Sequence, residues 1–262
     1  MYICYNQSKA LIILLQVTLS IYSHILQNTN RHHKMLALLI DPDKCRDKDL
    51  EKQTHLINIY HPELILVGGS LTTQPVDPVV EYLKQHTDVP VVLYPGHPSQ
   101  VSYKADALLF LSMISGRNAE LLIGAHVTAA PAIRQNRLET IPTGYMLIDG
   151  GSPTSVEYIS QTRPIPAEKN DIAVATAMAG EMLGLRMIYM DAGSGAKNAI
   201  SADMIRRVKE HLQSPLMIGG GINTPEKLKA AFSAGADIVV VGNVLEKDPT
   251  LLKQFTEITA QS

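Results

Sequence analysis

The sequence has little of what a nucleic-acid-binding protein needs. Aromatic residues make up 5% of the 262 residues, the formal net charge is −2, and basic residues form no block along the chain. A protein that tracks a phosphate backbone needs clustered lysine and arginine, and one that binds single strands needs aromatic rings on which bases stack. The composition therefore argues against a nucleic-acid partner.

Cysteine is equally scarce. The chain has two cysteines, Cys4 and Cys45, with no C-x-x-C pair and no His/Cys pair at metal-ligand spacing. This pattern excludes a disulfide framework and indicates no zinc site. A reducing compartment fits it best, and we expect a cytoplasmic protein.

The longest hydrophobic run lies near the N-terminus. Residues 10–26 are largely apolar, but Gln16, Ser20, Ser23 and His24 interrupt them and no A-x-A cleavage site follows. The run is also short for a membrane span. A secretory signal is the less favoured interpretation. We interpret residues 1–20 as an N-terminal extension or a helix covering one end of the domain, and residues 21–262 as a single barrel domain.

From Met35 onward, short apolar runs alternate with segments that have helical spacing. Such runs predict strands buried on both faces and joined by helices. Eight regular units favour a closed (β/α)8 TIM barrel over the alternative, an open doubly wound sheet. The runs are "MLALLIDPD", "LILVGGS", "VVLYPG", "ALLFLS", "YMLIDGG", "MIYMDAGSG", "LMIGGGI" and "IVVVGN".

Polar and small residues gather at the ends of these predicted strands. In a barrel all strand ends of one sense open onto the C-terminal face, where active sites lie. We therefore expect one cleft at that face, bordered by Asp41, Ser70, Asp149, Asp191, Gly219 to Gly221, Gly242 and Asn243.

Two of these strand ends predict a phosphate site. In "MIGGGINTPEK" three glycines end strand seven, Thr224 and Pro225 begin the next helix, and "VGN" follows strand eight. Backbone amides at helix N-termini bind anions, and the loops after strands seven and eight are the usual phosphate clamp of barrels. Tight turns alone are the alternative reason for the glycines. Two neighbouring turns of this kind favour a phosphate-binding C-terminal face.

The first two strands end in candidate metal ligands. "LIDPDK" places Asp41 and Asp43 around Pro42, and Ser70 follows two glycines. Magnesium prefers oxygen ligands and commonly bridges to substrate phosphates, so we predict Asp41 and Ser70 as its ligands. Turn formation or helix capping is the alternative role for Asp43 and Ser70. A metal site facing a phosphate site suggests transfer between two phosphorylated substrates.

These motifs resemble those of the geranylgeranylglyceryl phosphate synthase family, which includes the bacterial heptaprenylglyceryl phosphate synthases. The chain is similar to the second of the two groups of that family. The resemblance extends from about Ile21 to the C-terminus and covers "LIDPDK", "LILVGGS", "VVLYPGHPSQVS", "SGRNAELLIGAHVTAA", "GYMLIDGG", "YMDAGSGA", "IGGGI" and "VVGNV".

The resemblance implies a reaction and a set of site residues. The 3-hydroxyl of sn-glycerol 1-phosphate would attack C1 of a polyprenyl diphosphate, with the group favouring geranylgeranyl diphosphate, to form an ether and release pyrophosphate. Mg2+ and the diphosphate would lie at Asp41 and Ser70. Glycerol phosphate would lie at Tyr189, Asp191, Ala192, Gly193, Ser194, Gly195, Gly220, Gly221, Gly242 and Asn243.

Two positions depart from the family pattern. Many members carry glutamate at the position of Asp191, and some carry lysine at that of Leu39, so Lys44 or another group would supply positive charge here. Asp191 is predicted either as the base that takes the proton of the attacking hydroxyl or as a ligand that only positions the glycerol. Tyr189 alternates with Asp191 along the strand and is predicted to orient the substrate, with a core role as the alternative.

A prenyl tail needs an apolar groove. Candidate walls are "VVLYPGH", "LLFLSMIS" and the helix "DIAVATAMAGEMLG". The small residues of that helix either leave space for the tail or pack closely against the barrel: Ala173, Ala175, Ala177, Ala179 and Gly180.

Two other functions stay open at the level of sequence. One is a different phosphate-binding barrel enzyme, an isomerase or a thiamine-phosphate-synthase-like protein. The other is a non-catalytic phospho-ligand binding protein, which would have little use for Asp41 and Asp191. The family resemblance further implies a homo-oligomer, dimeric or hexameric, with at most peripheral membrane contact.

Overall fold

Eight parallel strands close into a barrel in the order of the chain. The structure is a computed structural model that describes residues 20–45, 47–242, 248 and 250–262. Each strand pairs with the next, and the last pairs with the first through Met35 and Ile238. The predicted (β/α)8 TIM barrel is confirmed. The strands are β1 Met35–Ile40, β2 Leu64–Gly69, β3 Val91–Pro95, β4 Ala107–Met113, β5 Glu139–Leu147, β6 Met187–Asp191, β7 Leu216–Gly219 and β8 Ile238–Val241.

Helices connect the strands and cover the barrel. Several begin at a serine or threonine whose side-chain oxygen accepts a backbone N–H of the first turn; Thr224, predicted to start a helix with Pro225, is one of them. In the part of the chain that the structure describes, no helix is both long enough and apolar enough to cross a bilayer. The described α-helices are α1 Ile21–Asn30, α2 Asp47–Tyr60, α3 Asp77–His86, α4 Ala125–Gln135, α5 Ser155–Ser160, α6 Asn170–Met182, α7 Ala202–Lys209, α8 Pro225–Ser233 and α9 Leu251–Gln261.

Side chains alternate between two hydrophobic cores. Leu64 and Leu66 of β2 fill the barrel interior, whereas Ile65 and Val67 pack outward against the helices. Both faces of each strand are therefore apolar, which is why the strands appear in the sequence as continuous apolar runs. The polar residues that could bind a ligand therefore lie just beyond the strand ends.

Helix α1 covers the N-terminal end of the barrel. Tyr22 and Ile25 pack into the interior cluster. The carboxylate of Glu139 accepts the backbone N–H groups of Ile21 and Tyr22 at 2.8 and 2.9 Å, which satisfies free donors at the start of the helix. Residues 1–19 lie outside the described residues, so the interpretation of an N-terminal extension stays a prediction.

Candidate active site

The C-terminal ends of the strands border a cleft of about 930 Å³. Ten of the predicted site residues line it: Asp41, Ser70, Tyr189, Asp191, Gly193, Ser194, Gly195, Gly220, Gly221 and Gly242. Ala192 is buried in the outer core, and Asn243 lies outside the described residues. Asp149 and Gly219 were expected at the cleft but do not border it. The backbone N–H of Asp149 donates to the carbonyl of Ile165, and its carboxylate accepts the N–H of Gly151.

One wall of the cleft consists of two glycine-rich loops in backbone contact. Gly220 has φ +77°, and a Cβ there would lie 2.6 Å from the nitrogen of Gly193 and 2.7 Å from that of Ala192. Gly221 has φ +69° and would meet the carbonyl oxygen of Asn198 at 2.5 Å. Only glycine allows both the positive φ and the close approach of the two backbones, so this side of the cleft exposes backbone rather than side chains.

Positive charge lies next to this wall. The Lys227 ammonium, in the first turn of α8, donates to the carbonyl of Gly221 at 3.1 Å and to the side chain of Asn223 at 2.8 Å. A small-residue wall, a helix N-terminus and a cation together suit a phosphate group. The sequence also predicts a second helix of the phosphate site after "VGN", but residues 243–247 lie outside the described residues, so this stays a prediction.

Another wall of the cleft carries the acids of the "DPDK" segment. Asp41 accepts the N–H of Asp43 through Oδ1 at 3.0 Å, and its Oδ2 lies 3.0 Å from the ammonium of Lys44. The Asp43 carboxylate accepts the backbone N–H groups of Thr73 and Gln74 at 2.8 and 2.9 Å. Asp43 therefore holds the loop after β2 through these hydrogen bonds. This is a structural role of the kind that the sequence analysis gave as the alternative to metal binding.

The donor set around Asp41 fits magnesium held partly by a substrate. Within the described residues no three His, Cys, Asp or Glu side chains cluster as an all-protein metal site. Mg2+ characteristically uses one or two carboxylates and fills its remaining positions with water and substrate phosphates. Asp41 and Ser70 line the same cleft, and the ammonium of Lys44 pairs with Asp41 there.

Asp191 lies at the floor of the cleft, only 6% exposed. Its Oδ1 accepts the N–H of Gly193 at 2.8 Å, and its Oδ2 accepts the hydroxyls of Tyr145 at 2.7 Å and Tyr94 at 3.3 Å. Burial raises the pKa of Asp191, although the hydrogen bonds from Tyr145, Gly193 and Tyr94 each lower it. A buried acid with a raised pKa accepts a proton more readily than a surface aspartate does.

Sequence reasoning missed the two tyrosines that contact this acid. A signal was present, because Tyr145 is the cross-strand neighbour of Tyr189 and both side chains point into the barrel. Tyr189 itself is 1% exposed, and its ring meets that of Tyr145 edge-on at 5.4 Å. Burial, followed by the charge of Asp191, raises the pKa of Tyr189 well above its ordinary value. Its hydroxyl therefore stays protonated.

A second, apolar groove of about 120 Å³ joins the cleft. The two cavities share Gly69, Ser70 and Tyr94. The groove runs between residues of β3, β4 and α4, including "YPGH" and "LLFL" from two of the expected walls.

The third expected wall, α6, does not line this groove. Ala173, Ala177 and Gly180 face the barrel, and a Cβ at Gly180 would lie 2.7 Å from Cδ1 of Ile114. Ala175 and Ala179 face outward and are exposed. The small inward residues of α6 thus serve close packing rather than a tail.

Comparisons with known proteins agree with this arrangement. A profile described as the PcrB family matches residues 28–260. A geranylgeranylglyceryl phosphate synthase of Chitinophaga pinensis is 50% identical over 238 residues, which are 90% of this chain and 94% of that protein. A protein of the same name from Methanosphaera stadtmanae is 39% identical over 235 residues, 89% of this chain and 96% of that one.

A solved structure shares the fold over almost the whole chain. It is the (S)-3-O-geranylgeranylglyceryl phosphate synthase of Thermoplasma acidophilum in complex with its substrate sn-glycerol-1-phosphate. The TM-score is 0.87 at 30% sequence identity, and the match covers 93% of this chain and 99% of that chain.

Proposed function

Because this chain belongs to the PcrB family, we propose that it is a prenyltransferase that joins sn-glycerol 1-phosphate to a polyprenyl diphosphate. The product is a prenyl ether of glycerol phosphate, and pyrophosphate is released. The names of the relatives and the glycerol phosphate complex of the T. acidophilum enzyme support this reaction. They favour it over the isomerase, thiamine-type and binding-protein alternatives.

One observation carries the proposal: a polar cleft and an apolar groove meet at Gly69, Ser70 and Tyr94. A phosphorylated glycerol suits the cleft, and a hydrocarbon chain suits the groove. C1 of the prenyl diphosphate, the carbon at which the new bond forms, would lie where the cleft and the groove meet. A phosphate-sugar isomerase would need the cleft alone.

The glycine wall holds the glycerol phosphate in this proposal. Backbone of Gly193, Gly220 and Gly221 approaches the phosphate closely because no side chain intervenes. Lys227, bonded to the carbonyl of Gly221, adds positive charge behind that loop. Both effects favour a dianion at this end of the cleft.

Asp191 acts on the hydroxyl at the other end of the glycerol. Three of the roughly four acceptor positions of a carboxylate are occupied by protein donors, which leaves one for the substrate. Asp191 accepts a hydrogen bond from the attacking hydroxyl and takes its proton as the C–O bond to C1 forms and the bond from C1 to the diphosphate breaks.

Asp41 and Ser70 would hold Mg2+ at this side of the cleft, where the diphosphate would lie. The chemistry supplied by a bound Mg2+ is charge neutralisation on the leaving group. Lys44, now paired with Asp41, offers a second positive charge at the same wall. In this proposal Lys44 supplies the positive charge that a lysine at the position of Leu39 supplies in some family members.

Chain length, assembly and location complete the proposal. Geranylgeranyl diphosphate is the preferred donor, as the names of the relatives suggest. The groove, about 120 Å³, is smaller than most ligand pockets, so a long tail extends beyond it. We further propose a homo-oligomer, a dimer or a hexamer, located in the cytoplasm with at most peripheral membrane contact.

The direct test uses labelled sn-glycerol 1-phosphate with prenyl diphosphates of several lengths and extraction of product into organic solvent. We expect product with one preferred length from the wild type. Asp191→Asn should bind glycerol phosphate but keep only a small residual turnover. No product at any length from folded wild-type protein would refute the synthase, and full turnover by Asp191→Asn would refute its role as the proton acceptor.

The metal assignment has its own prediction. A chelator should abolish product formation, and Asp41→Asn should raise the Mg2+ concentration for half-maximal rate by about tenfold or more, because a neutral amide binds a hard cation less well. Asp43→Asn is the matched control, since the contacts of Asp43 to Thr73 and Gln74 assign it to the loop. An equal increase in both variants would contradict the assignment to Asp41.

A further inference from the structure

Three buried tyrosines form the floor on which Asp191 sits. Tyr94, Tyr145 and Tyr189 come from β3, β5 and β6, and their ring centroids lie 5.4 to 6.4 Å apart. Packing explains the rings but not the hydroxyls. Two of the three hydroxyls converge on one oxygen of Asp191.

The direction of these hydrogen bonds is fixed by chemistry. An ionised carboxylate only accepts, so Tyr94 and Tyr145 each donate their single proton to Oδ2. With the N–H of Gly193 on Oδ1, the acid is held from three segments of the chain. A bond from a neutral donor to a carboxylate is worth more than a neutral pair and restricts its orientation.

The two tyrosines are not equivalent. Tyr145 makes the shorter bond, 2.7 Å, and borders only the apolar groove. Tyr94 makes the longer bond, 3.3 Å, and borders both the groove and the polar cleft. The acid is therefore held on the side where the two cavities join.

We propose that Tyr94 and Tyr145 are positioning residues for Asp191. Their hydroxyls hold the carboxylate in place and aim it at the glycerol hydroxyl beside the groove. This inference rests on the proposed function. A single acceptor position of Asp191 then faces the substrate, and the proton moves onto an acid that cannot rotate away. Without the hydroxyls, the acid keeps its burial but loses its orientation.

The test removes the hydroxyls and keeps the rings. Tyr145→Phe should lower kcat by about tenfold or more, a part of the roughly 100- to 10,000-fold that a positioned general base contributes, with little change in KM for glycerol phosphate. Tyr94→Phe should lower kcat to a smaller extent. Tyr22→Phe is the matched control: it removes a buried hydroxyl that bonds the carbonyl of Arg186 at the opposite end of the barrel. It should leave kcat unchanged.

A double-mutant cycle separates positioning from packing. In the Asp191→Asn background, adding Tyr145→Phe should cost almost nothing further, because the hydroxyl has lost the charge that it orients. Equal losses in both backgrounds would overturn the inference. Thermal unfolding of each variant identifies a loss of activity that comes from misfolding.

The pH profile provides a readout that mere packing would not change. The groups facing Asp191 are Tyr94 from β3, Tyr145 from β5, Tyr189 from its own strand and the backbone of Gly193. Since the tyrosine hydrogen bonds lower the pKa of Asp191, Tyr145→Phe should move the acid limb of kcat to higher pH. An unmoved acid limb with unchanged kcat would overturn the positioning role while leaving the synthase intact. An inactive wild type would overturn both.

Discussion

At Gly220 a missing side chain decides whether two loops can meet. The residue has φ +77°, and any Cβ would press on the backbone nitrogens of Ala192 and Gly193 and on Oδ1 of Asp191. That oxygen is the one held by the N–H of Gly193. The glycine therefore supports both the phosphate wall and the orientation of the acid.

Gly220→Ala should destabilise the protein by at least about 2 kcal/mol more than Gly184→Ala. Both glycines have positive φ, but a Cβ at Gly184 meets nothing within 4 Å, so its substitution carries only the cost of the left-handed conformation, about 1–2 kcal/mol. Denaturant unfolding of the two variants measures the difference.

Turnover should follow the same order. Gly220→Ala should raise KM for glycerol phosphate and lower kcat, whereas Gly184→Ala should change neither. Equal unfolding free energies for the two variants would show that the loops separate easily and that close backbone contact is not what glycine provides at position 220.

How far the sequence predicted the site depends on where each partner comes from. Asp41, Asp191 and the glycine loops follow strand ends and were predicted, because one topological rule brings all strand ends together. The hydroxyls of Tyr94 and Tyr145 were not predicted. They lie 97 and 46 residues from Asp191 in the chain, and their convergence on one oxygen depends on side-chain geometry across a closed barrel.

At the scale of elements, carboxylates bind backbone N–H groups at the N-terminal ends of strands. Glu63 accepts the N–H of Leu36 at 2.7 Å, and Glu181 accepts those of Gln213 and Ser214 at 2.9 and 2.7 Å. The two acids have opposite pKa shifts. Burial raises the pKa of Glu63. Burial would also raise that of Glu181, but its hydrogen bonds from Ser214 and Gln213 outweigh burial and lower it.

These shifts predict opposite pH dependences of stability. A raised pKa means that the folded state holds the proton of Glu63 more tightly, so its contribution to stability falls as the pH rises from 4.5 through the folded value. Glu63→Gln keeps an acceptor for Leu36 and removes the charge. It should gain stability relative to wild type as the pH rises above 4.5, measured by urea unfolding across pH.

Glu181→Gln is the counterpart. The stabilising contribution of Glu181 is present above its unfolded pKa of 4.5 and is lost as the pH falls through the lower folded value. Relative to wild type, this variant should be weakest at neutral pH and recover in acid. The same sign of slope for both variants would contradict the assigned shifts.

At the scale of the whole molecule, closure of the barrel was predictable and the outer surface was not. Each βα unit is recognisable from an apolar run followed by a segment with helical spacing, and eight such units with right-handed connections form a closed parallel barrel. The small-residue helix α6 shows the limit. Its sequence predicts close approach, but not whether the approach is to a ligand, to the barrel or to another chain.

The two faces of α6 have separate roles. Ala173, Ala177 and Gly180 pack on the barrel. Ile172, Ala175, Ala179 and Met182, with Leu183 directly after the helix, form an exposed apolar stripe. Met182 and Leu183 are 80% and 81% exposed. Contiguous apolar surface of this kind marks interaction sites, and a second copy of the chain is the partner that the proposed homo-oligomer supplies.

Leu183→Glu should therefore weaken self-association. A charge placed in an apolar interface loses water without gaining a partner, so the oligomer should dissociate at concentrations where the wild type stays assembled. Ile59→Glu is the matched control, because Ile59 is an exposed apolar residue on α2 and 50% accessible. Sedimentation equilibrium of the three proteins measures the outcome. A monomeric wild type, or equal dissociation of both variants, would contradict a role for the α6 stripe. A dissociated Leu183→Glu that keeps its turnover would show that each barrel carries a complete active site.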